Sequence, residues 1–240
     1  METLVRYELA DGIATLSMDD GKANVMSLRM LQALNAAFDR AQADKAVVLL
    51  VGRERIFSGG FDLGAFKRDR EELYGMLAAG ARLAERLAAF PRPIVAACTG
   101  HAIAMGAFLL LSADLRIGPD RDARVHINEV QIGMTLPWFA IEVCRMRLAP
   151  PALNRAMLTA EPYFPQQALA AGFFDELAAP ETLLSVARER AAALVKLDAG
   201  SFTATKQRVR QHTLEALRDA VQKDLADWAH FLPQPAAARA

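Results

Sequence analysis

Two glycine-containing turns decide the fold, Phe57-Ser58-Gly59-Gly60-Phe61-Asp62-Leu63 and Gly100-His101-Ala102-Ile103-Ala104-Met105-Gly106. Each turn leads into a short helical pattern, so each offers backbone N–H groups that lack an intrahelical partner. A carboxylate follows further along the chain, in Asn128-Glu129. This set suits the stabilisation of an oxyanion by backbone donors while a carboxylate moves a proton on the neighbouring carbon.

Strand and helix patterns alternate on both sides of these turns. Asp11-Gly12 separates two β-rich runs and predicts a hairpin, and Ser27 is a favoured N-cap before a helical pattern. The apolar run at 46–51 is typical of a strand buried on both faces. The remaining patterns predict a helix over 69–90, a helix over 104–112, and strands at 94–97, 115–118, 125–127 and 173–177.

From Glu181 onward the pattern is helical only, before a Pro/Ala tail at 233–240. We therefore expect an α/β core over residues 1–180 and a helical region over residues 181–240. Apolar residues recur at helical spacing in this region, and such a face needs a partner, which we expect to be a neighbouring subunit. These residues are Leu214, Leu217, Val221, Leu225 and Trp228.

Composition excludes several classes of function. Lys+Arg and Asp+Glu are equal at 28 each, so no global field favours nucleic acid or an anionic membrane. No apolar run is long enough to span a bilayer, and the first residues lack the apolar stretch of a signal peptide. The two cysteines have no metal-ligand spacing, so we expect no metal site and a cytoplasmic protein.

The order of the motifs and the residues in them resemble those of the enoyl-CoA hydratase/isomerase (crotonase) superfamily over nearly the whole chain. The resemblance implies an α/β fold, a crotonase-like spiral of β-β-α units with a C-terminal helical region. It also implies a homotrimer or a dimer of trimers. An acyl-CoA thioester would be the small-molecule substrate, with no further cofactor.

The resemblance assigns the catalytic groups residue by residue. The backbone amides of Phe61 and Met105 would hold the thioester oxygen, and Glu129 would be the acid/base group. The chain departs from the family's pattern beside these groups: Ala104 and Met105 stand where glycines are usual, and Asn128 replaces a proline. A backbone donor tolerates either side chain, but both narrow the site.

One departure bears on the reaction. Hydratases of the superfamily hold a water between two glutamates, and the first of these positions is Phe108 here. A single base suffices to shift a double bond, so isomerisation of an enoyl-CoA is the first interpretation. Hydration with Glu142 as the second carboxylate is the alternative, and a non-catalytic acyl-CoA-binding protein is another. Both residues also have a purely structural interpretation, in which Glu129 is a surface residue and Phe108 is a core residue.

The substrate contacts are also carried over from the resemblance. Lys206, Arg208 and Arg210 either form a solvated helix face or reach CoA phosphates. The remaining expected substrate-binding residues are Ala23, Gly60, Asp62, Leu63, Leu73, Met76, Gly106, Phe108 and Trp138.

Overall fold

The structure is a computed structural model that describes residues 3–231, so the expected tail at 233–240 lies outside the described residues. Its strands are β1 Val5–Ala10, β2 Ile13–Met18, β3 Val47–Val51, β4 Arg55–Ser58, β5 Ile94–Ala97, β6 Gly100–Ile103, β7 Leu115–Pro119, β8 Val125–His126 and β9 Glu176–Ala178. Its helices are α1 Leu28–Ala43, α2 Arg70–Ala89, α3 Met105–Ser112, α4 Trp138–Arg147, α5 Pro150–Leu158, α6 Pro165–Ala171, α7 Leu183–Val195, α8 Ala199–Val209 and α9 Gln211–Phe231, with 3-10 turns at Leu63–Lys67 and Val130–Ile132.

Two sheets organise the described part of the chain. Residues 3–231 contain a six-stranded sheet in the order β1-β2-β3-β5-β7-β9 and a three-stranded sheet in the order β4-β6-β8. Apart from the antiparallel hairpin of β1 and β2, every neighbouring pair is parallel. Successive units place one strand in the large sheet, the next in the small sheet, and then a helix. This arrangement confirms the expected spiral of β-β-α units.

Local chemistry accounts for the elements that were predicted. Asp11 and Gly12 both have positive φ, at 51° and 75°, as a tight hairpin turn requires. The Ser27 hydroxyl accepts a hydrogen bond from the Met30 amide at 3.2 Å and caps α1. Every residue of β3 is buried, because helices and strands cover both faces of the sheet there.

Two strands of the small sheet were not expected, and one strand was misplaced. Residues 55–58 and 100–103 form β4 and β6, although their sequences read as turns. They pair with each other in parallel, and β6 also pairs with β8, so their backbone groups are satisfied without a long β-branched run. The last strand, expected at 173–177, is β9 at Glu176–Ala178.

The apolar face of α9 is covered by its own chain, which corrects the expectation that it needs a neighbouring subunit. Leu214, Leu217, Val221 and Leu225 are buried in the main hydrophobic core, and Trp228 packs against it. Helix α9 contacts α2 and α4 along its length. This face therefore gives no argument for a trimer, and the oligomeric state remains a prediction from the resemblance.

Two cations of α8 and its end are likewise internal. Lys206 and Arg210 donate to opposite oxygens of Asp114, each at 2.8 Å, and both cations are buried. Burial lowers the pKa of Lys206 to about 8. Arg208 is exposed. Lys206 and Arg210 thus form neither a solvated face nor a free contact for CoA phosphates in this chain.

Candidate active site

The fold brings the three expected catalytic positions to one edge of the small sheet. Strands β4, β6 and β8 are parallel neighbours, so their carboxyl ends lie side by side. Phe61 follows β4, Met105 follows β6 and Glu129 follows β8, each within a few residues. The convergence of distant motifs is therefore a consequence of the sheet topology.

A cavity of about 210 Å³ opens at this edge. Glu129 contributes a carboxylate, and most of the other side chains are apolar. Such a lining suits an acyl chain with a polar reacting group at one end. The lining residues are Gly59, Phe61, Leu63, Phe66, Leu77, Ala104, Asn128, Glu129, Ile132, Met134, Thr135, Pro137 and Trp228.

Glu129 is buried in this cavity, with 6% of its surface exposed. Within residues 3–231, its Oε2 atom has no hydrogen-bond partner. Burial in these surroundings disfavours the charged form and raises the pKa of Glu129 to about 7. A carboxyl group with that pKa both accepts and returns a proton near neutral pH.

The two amides expected to hold the oxyanion have no acceptor among residues 3–231. Met105 is the first residue of α3, where an amide lacks an intrahelical acceptor. Phe61 pairs with Met26 through an isolated bridge in which Met26 donates to the Gly60 carbonyl at 2.7 Å. The ring of Phe61 packs on α2 at Gly80, and Gly59 and Phe61 both line the cavity.

Comparison with known proteins identifies the family. A family model described as enoyl-CoA hydratase/isomerase matches residues 8–234. The chain belongs to the enoyl-CoA hydratase/isomerase family. A putative enoyl-CoA hydratase of Thermus thermophilus is 32% identical over 210 residues, covering 85% of this chain and 82% of that protein.

Solved structures agree with this assignment. A Mycobacterium tuberculosis protein, named an enoyl-CoA isomerase in one solved structure and a probable enoyl-CoA hydratase in another, is 43% identical with a TM-score of 0.91, covering 95% of this chain and 100% of that one. The human mitochondrial delta3-delta2-enoyl-CoA isomerase is 25% identical with a TM-score of 0.90, covering 96% and 92%. Because its relatives are named as enzymes, the protein is an enzyme of the crotonase superfamily.

The two rival positions for a second acid/base group lie outside the cavity lining. Phe108 is fully buried and packs edge-to-face on Phe139, with ring centroids 5.8 Å apart. Glu142 lies on α4 and forms an ion pair with Arg145. Neither side chain contributes to the lining as Glu129 does.

Several expected substrate contacts serve the scaffold around the site. Asp62 accepts from the Gly64 amide at 2.9 Å and from Arg68 at 2.7 Å, and so caps the 3-10 turn that carries Leu63. Leu73 and Met76 are buried in the core, while the next residue of α2, Leu77, lines the cavity.

The other expected contacts lie on the backbone around the two turns or at the rim. The Ala23 carbonyl accepts from the Gly59 amide at 2.8 Å, and Gly106 packs closely against Ser58. Gly60 lies between lining residues Gly59 and Phe61, and Leu63 itself lines the cavity. Trp138 is half exposed at the start of α4.

Sequence reasoning missed part of the lining. Trp228 was assigned to a subunit interface, but it lines the cavity from α9. Asn128 and Ala104 were noted only as departures from the family's pattern, and both line the cavity. The Asn128 Oδ1 atom is buried and has no hydrogen-bond partner within residues 3–231. The sequence already marked Asn128 and Ala104 as unusual within their motifs. Nothing in the sequence around Trp228 pointed to the cavity.

Among residues 3–231, no group of three or more His, Cys, Asp or Glu side chains is placed to hold a metal ion. No helix in the same range has the length and apolar character needed to cross a membrane.

Proposed function

We propose that the protein isomerises a 3-enoyl-CoA to a 2-enoyl-CoA, with Glu129 as the single acid/base group. The observation that carries this proposal is that Glu129 supplies the buried carboxylate of the cavity, while Phe108 and Glu142 lie outside its lining. The names of the relatives divide between hydratase and isomerase, so they do not decide between the two reactions.

In the proposed reaction, the proton removed from C2 of the substrate is returned to it at C4. Deprotonated Glu129 removes a proton from C2, and the electron pair moves onto the thioester oxygen to give a dienolate. The amides of Phe61 and Met105 hold that oxygen, and removing one such donor typically costs about 2.7–4 kcal/mol of barrier. Protonated Glu129 then delivers the proton to C4, and the double bond forms between C2 and C3.

The apolar surroundings of Glu129 support its use as both the base and the acid of the reaction. They raise the pKa of the carboxyl group to about 7, so the group is both a competent base and a competent acid. They also keep water away from the dienolate, which favours return of the same proton.

Hydration of a 2-enoyl-CoA is the second candidate, and the unpaired Oδ1 atom of Asn128 is the observation that favours it. A water held between Asn128 and Glu129 would replace the water held between two carboxylates. A non-catalytic binding role is not favoured, because the relatives are named as enzymes.

The test measures formation of the conjugated 2-enoyl thioester by ultraviolet absorbance, starting from a 3-enoyl-CoA. Glu129→Gln should lower kcat by about 10²–10⁴-fold, because the amide keeps the size of the side chain but takes up no proton. Glu142→Gln is the matched control and should leave kcat unchanged. A C2-deuterated substrate should yield product labelled at C4.

Efficient hydration by the wild type would contradict the single-base proposal. In that case Asn128→Ala and Glu129→Gln should both abolish hydration, whereas Glu142→Gln should not. Binding of a saturated acyl-CoA by each variant shows that the cavity is intact.

A further inference from the structure

Helix α4 begins without a cap of its own. Pro137 stands at the N-cap position and makes no side-chain cap hydrogen bond. The amides of the first helical turn need acceptors from elsewhere, because no intrahelical carbonyl precedes them.

Asp224 of α9 supplies those acceptors. Its Oδ1 atom accepts from the Trp138 amide at 2.9 Å, and its Oδ2 atom accepts from the Phe139 amide at 2.8 Å. The side chain is almost fully buried, at 2% exposure. A buried carboxylate is tolerable here because both oxygens are bonded and the positive end of the α4 dipole faces it.

The same stretch of α9 contacts Trp138 twice more. Asp227 accepts from the indole Nε1 at 3.1 Å, and the Lys223 ammonium lies 5.5 Å from the centre of the ring. Both of these contacts are on exposed groups, so they hold Trp138 less firmly than the buried Asp224 does.

One turn beyond Asp224, Trp228 lines the cavity together with Met134 and Pro137. The segment 134–137 connects the turn that carries Glu129 to α4. Asp224 therefore links α9, which carries Trp228, to the start of α4, which directly follows Pro137. The end of α9 is fixed separately, by Arg70, which donates to the Ala229 carbonyl at 2.6 Å.

We propose that Asp224 is a positioning residue for the acyl group: it holds segment 134–137 against Trp228 and so sets the shape of the acyl cavity. This inference takes its ligand, an acyl-CoA, from the proposed function and rests on it in that respect. Its evidence is independent of Glu129, because it concerns binding of the acyl chain and not proton transfer.

The test compares the dissociation constants of decanoyl-CoA and free CoA by calorimetry. The dissociation constant of free CoA divided by that of decanoyl-CoA isolates what the acyl chain contributes to binding. Asp224→Asn should reduce this ratio about tenfold, which is the scale set by one or two poorly packed methylenes. The constant for free CoA should not change, whereas general loss of structure would weaken both ligands together.

Two variants make the test specific. Asp227→Asn makes the same chemical change at the exposed carboxylate that accepts from the Trp138 indole, and it is expected to leave the ratio unchanged. Trp228→Ala should reduce the ratio by itself, and adding Asp224→Asn to it should cause little further loss, because both act through the same wall. If Asp224→Asn does not fold by circular dichroism, Asp224→Ser avoids placing an NH2 group against the helix amides and should show a loss in the same direction.

The outcomes separate the two proposals. An unchanged ratio in folded Asp224→Asn, or losses that multiply in the double variant, would overturn this inference alone. A wild type that binds decanoyl-CoA no more tightly than free CoA would overturn both this inference and the proposed function.

Discussion

Gly60 and Ala104, one in each of the two turns, lie in direct contact. A Cβ atom on Gly60 would be 3.0 Å from the Ala104 Cβ and 2.9 Å from the Ile103 carbonyl oxygen. Gly60 also has φ +92°, a conformation that favours glycine. Because the two turns touch here, we expect the Phe61 and Met105 amide nitrogens to lie about 4–6 Å apart, as one shared acceptor requires.

Gly60→Ala should therefore impair the proposed oxyanion hole. The methyl group would push the first turn away from the second, and loss of one donor lowers kcat by about 10²–10³-fold. Gly21→Ala is the matched control, because Gly21 also has positive φ, at +75°, but no atom lies within 4 Å of its Cβ position. Both variants should lose about 1–3 kcal/mol of stability from backbone strain. Only Gly60→Ala should lose turnover of a 3-enoyl-CoA; normal turnover in that variant would refute the role of the contact.

The pH dependence of turnover should report Glu129. The pKa of this carboxyl group is raised to about 7 by burial, and the proposed reaction begins with its deprotonated form. The value of kcat/KM should therefore fall below pH 7, to about a tenth of its plateau one pH unit lower. Stopped-time assays between pH 5 and pH 8 would measure this. A profile that is flat down to pH 5 would mean that Glu129 is not the base.

The same pKa makes a separate prediction about stability. The folded state binds the Glu129 proton more tightly than the unfolded state, whose carboxyl pKa is near 4.5. The contribution of this proton to the free energy of unfolding is therefore fully present below pH 4.5. It is lost as the pH rises through 7, by at most about 3 kcal/mol. Urea unfolding of wild type and Glu129→Gln at several pH values would show the difference. The wild type should lose stability over this range relative to the variant, and parallel curves would count against a buried, proton-binding Glu129.

The sequence predicted most of the large sheet because its strands carry their own signals. The apolar run at Val47–Val51 and the Asp11-Gly12 turn are examples in which local pattern and tertiary position agree. Strands β4 and β6 could not be predicted this way. They are four residues long and contain or adjoin glycines, and they become strands only because they pair with each other.

The sequence could predict the candidate site where a single motif places a residue in the cavity. It could not predict contacts between two distant segments. Glu129 could be singled out from its own surroundings in the chain. The role of Asp224 could not, because the amides that it accepts from are 85 and 86 residues away. The apolar stripe of α9 was visible, but a stripe does not say whether its partner is the same chain or another.

Ala104 is a strained residue that a single substitution can relax. Its φ of 50° and ψ of −121° are sparsely populated by residues with a Cβ atom and cost about 1–3 kcal/mol. Glycine adopts them freely but loses more backbone entropy on folding, by about 0.5–1 kcal/mol. Ala104→Gly should therefore stabilise the protein by about 1 kcal/mol in urea unfolding. It should retain turnover, because the Met105 amide keeps its place at the start of α3. Ala107→Gly, inside the same helix, is the control and should destabilise by about 1 kcal/mol or more. Equal destabilisation by both variants would show that Ala104 stores no strain.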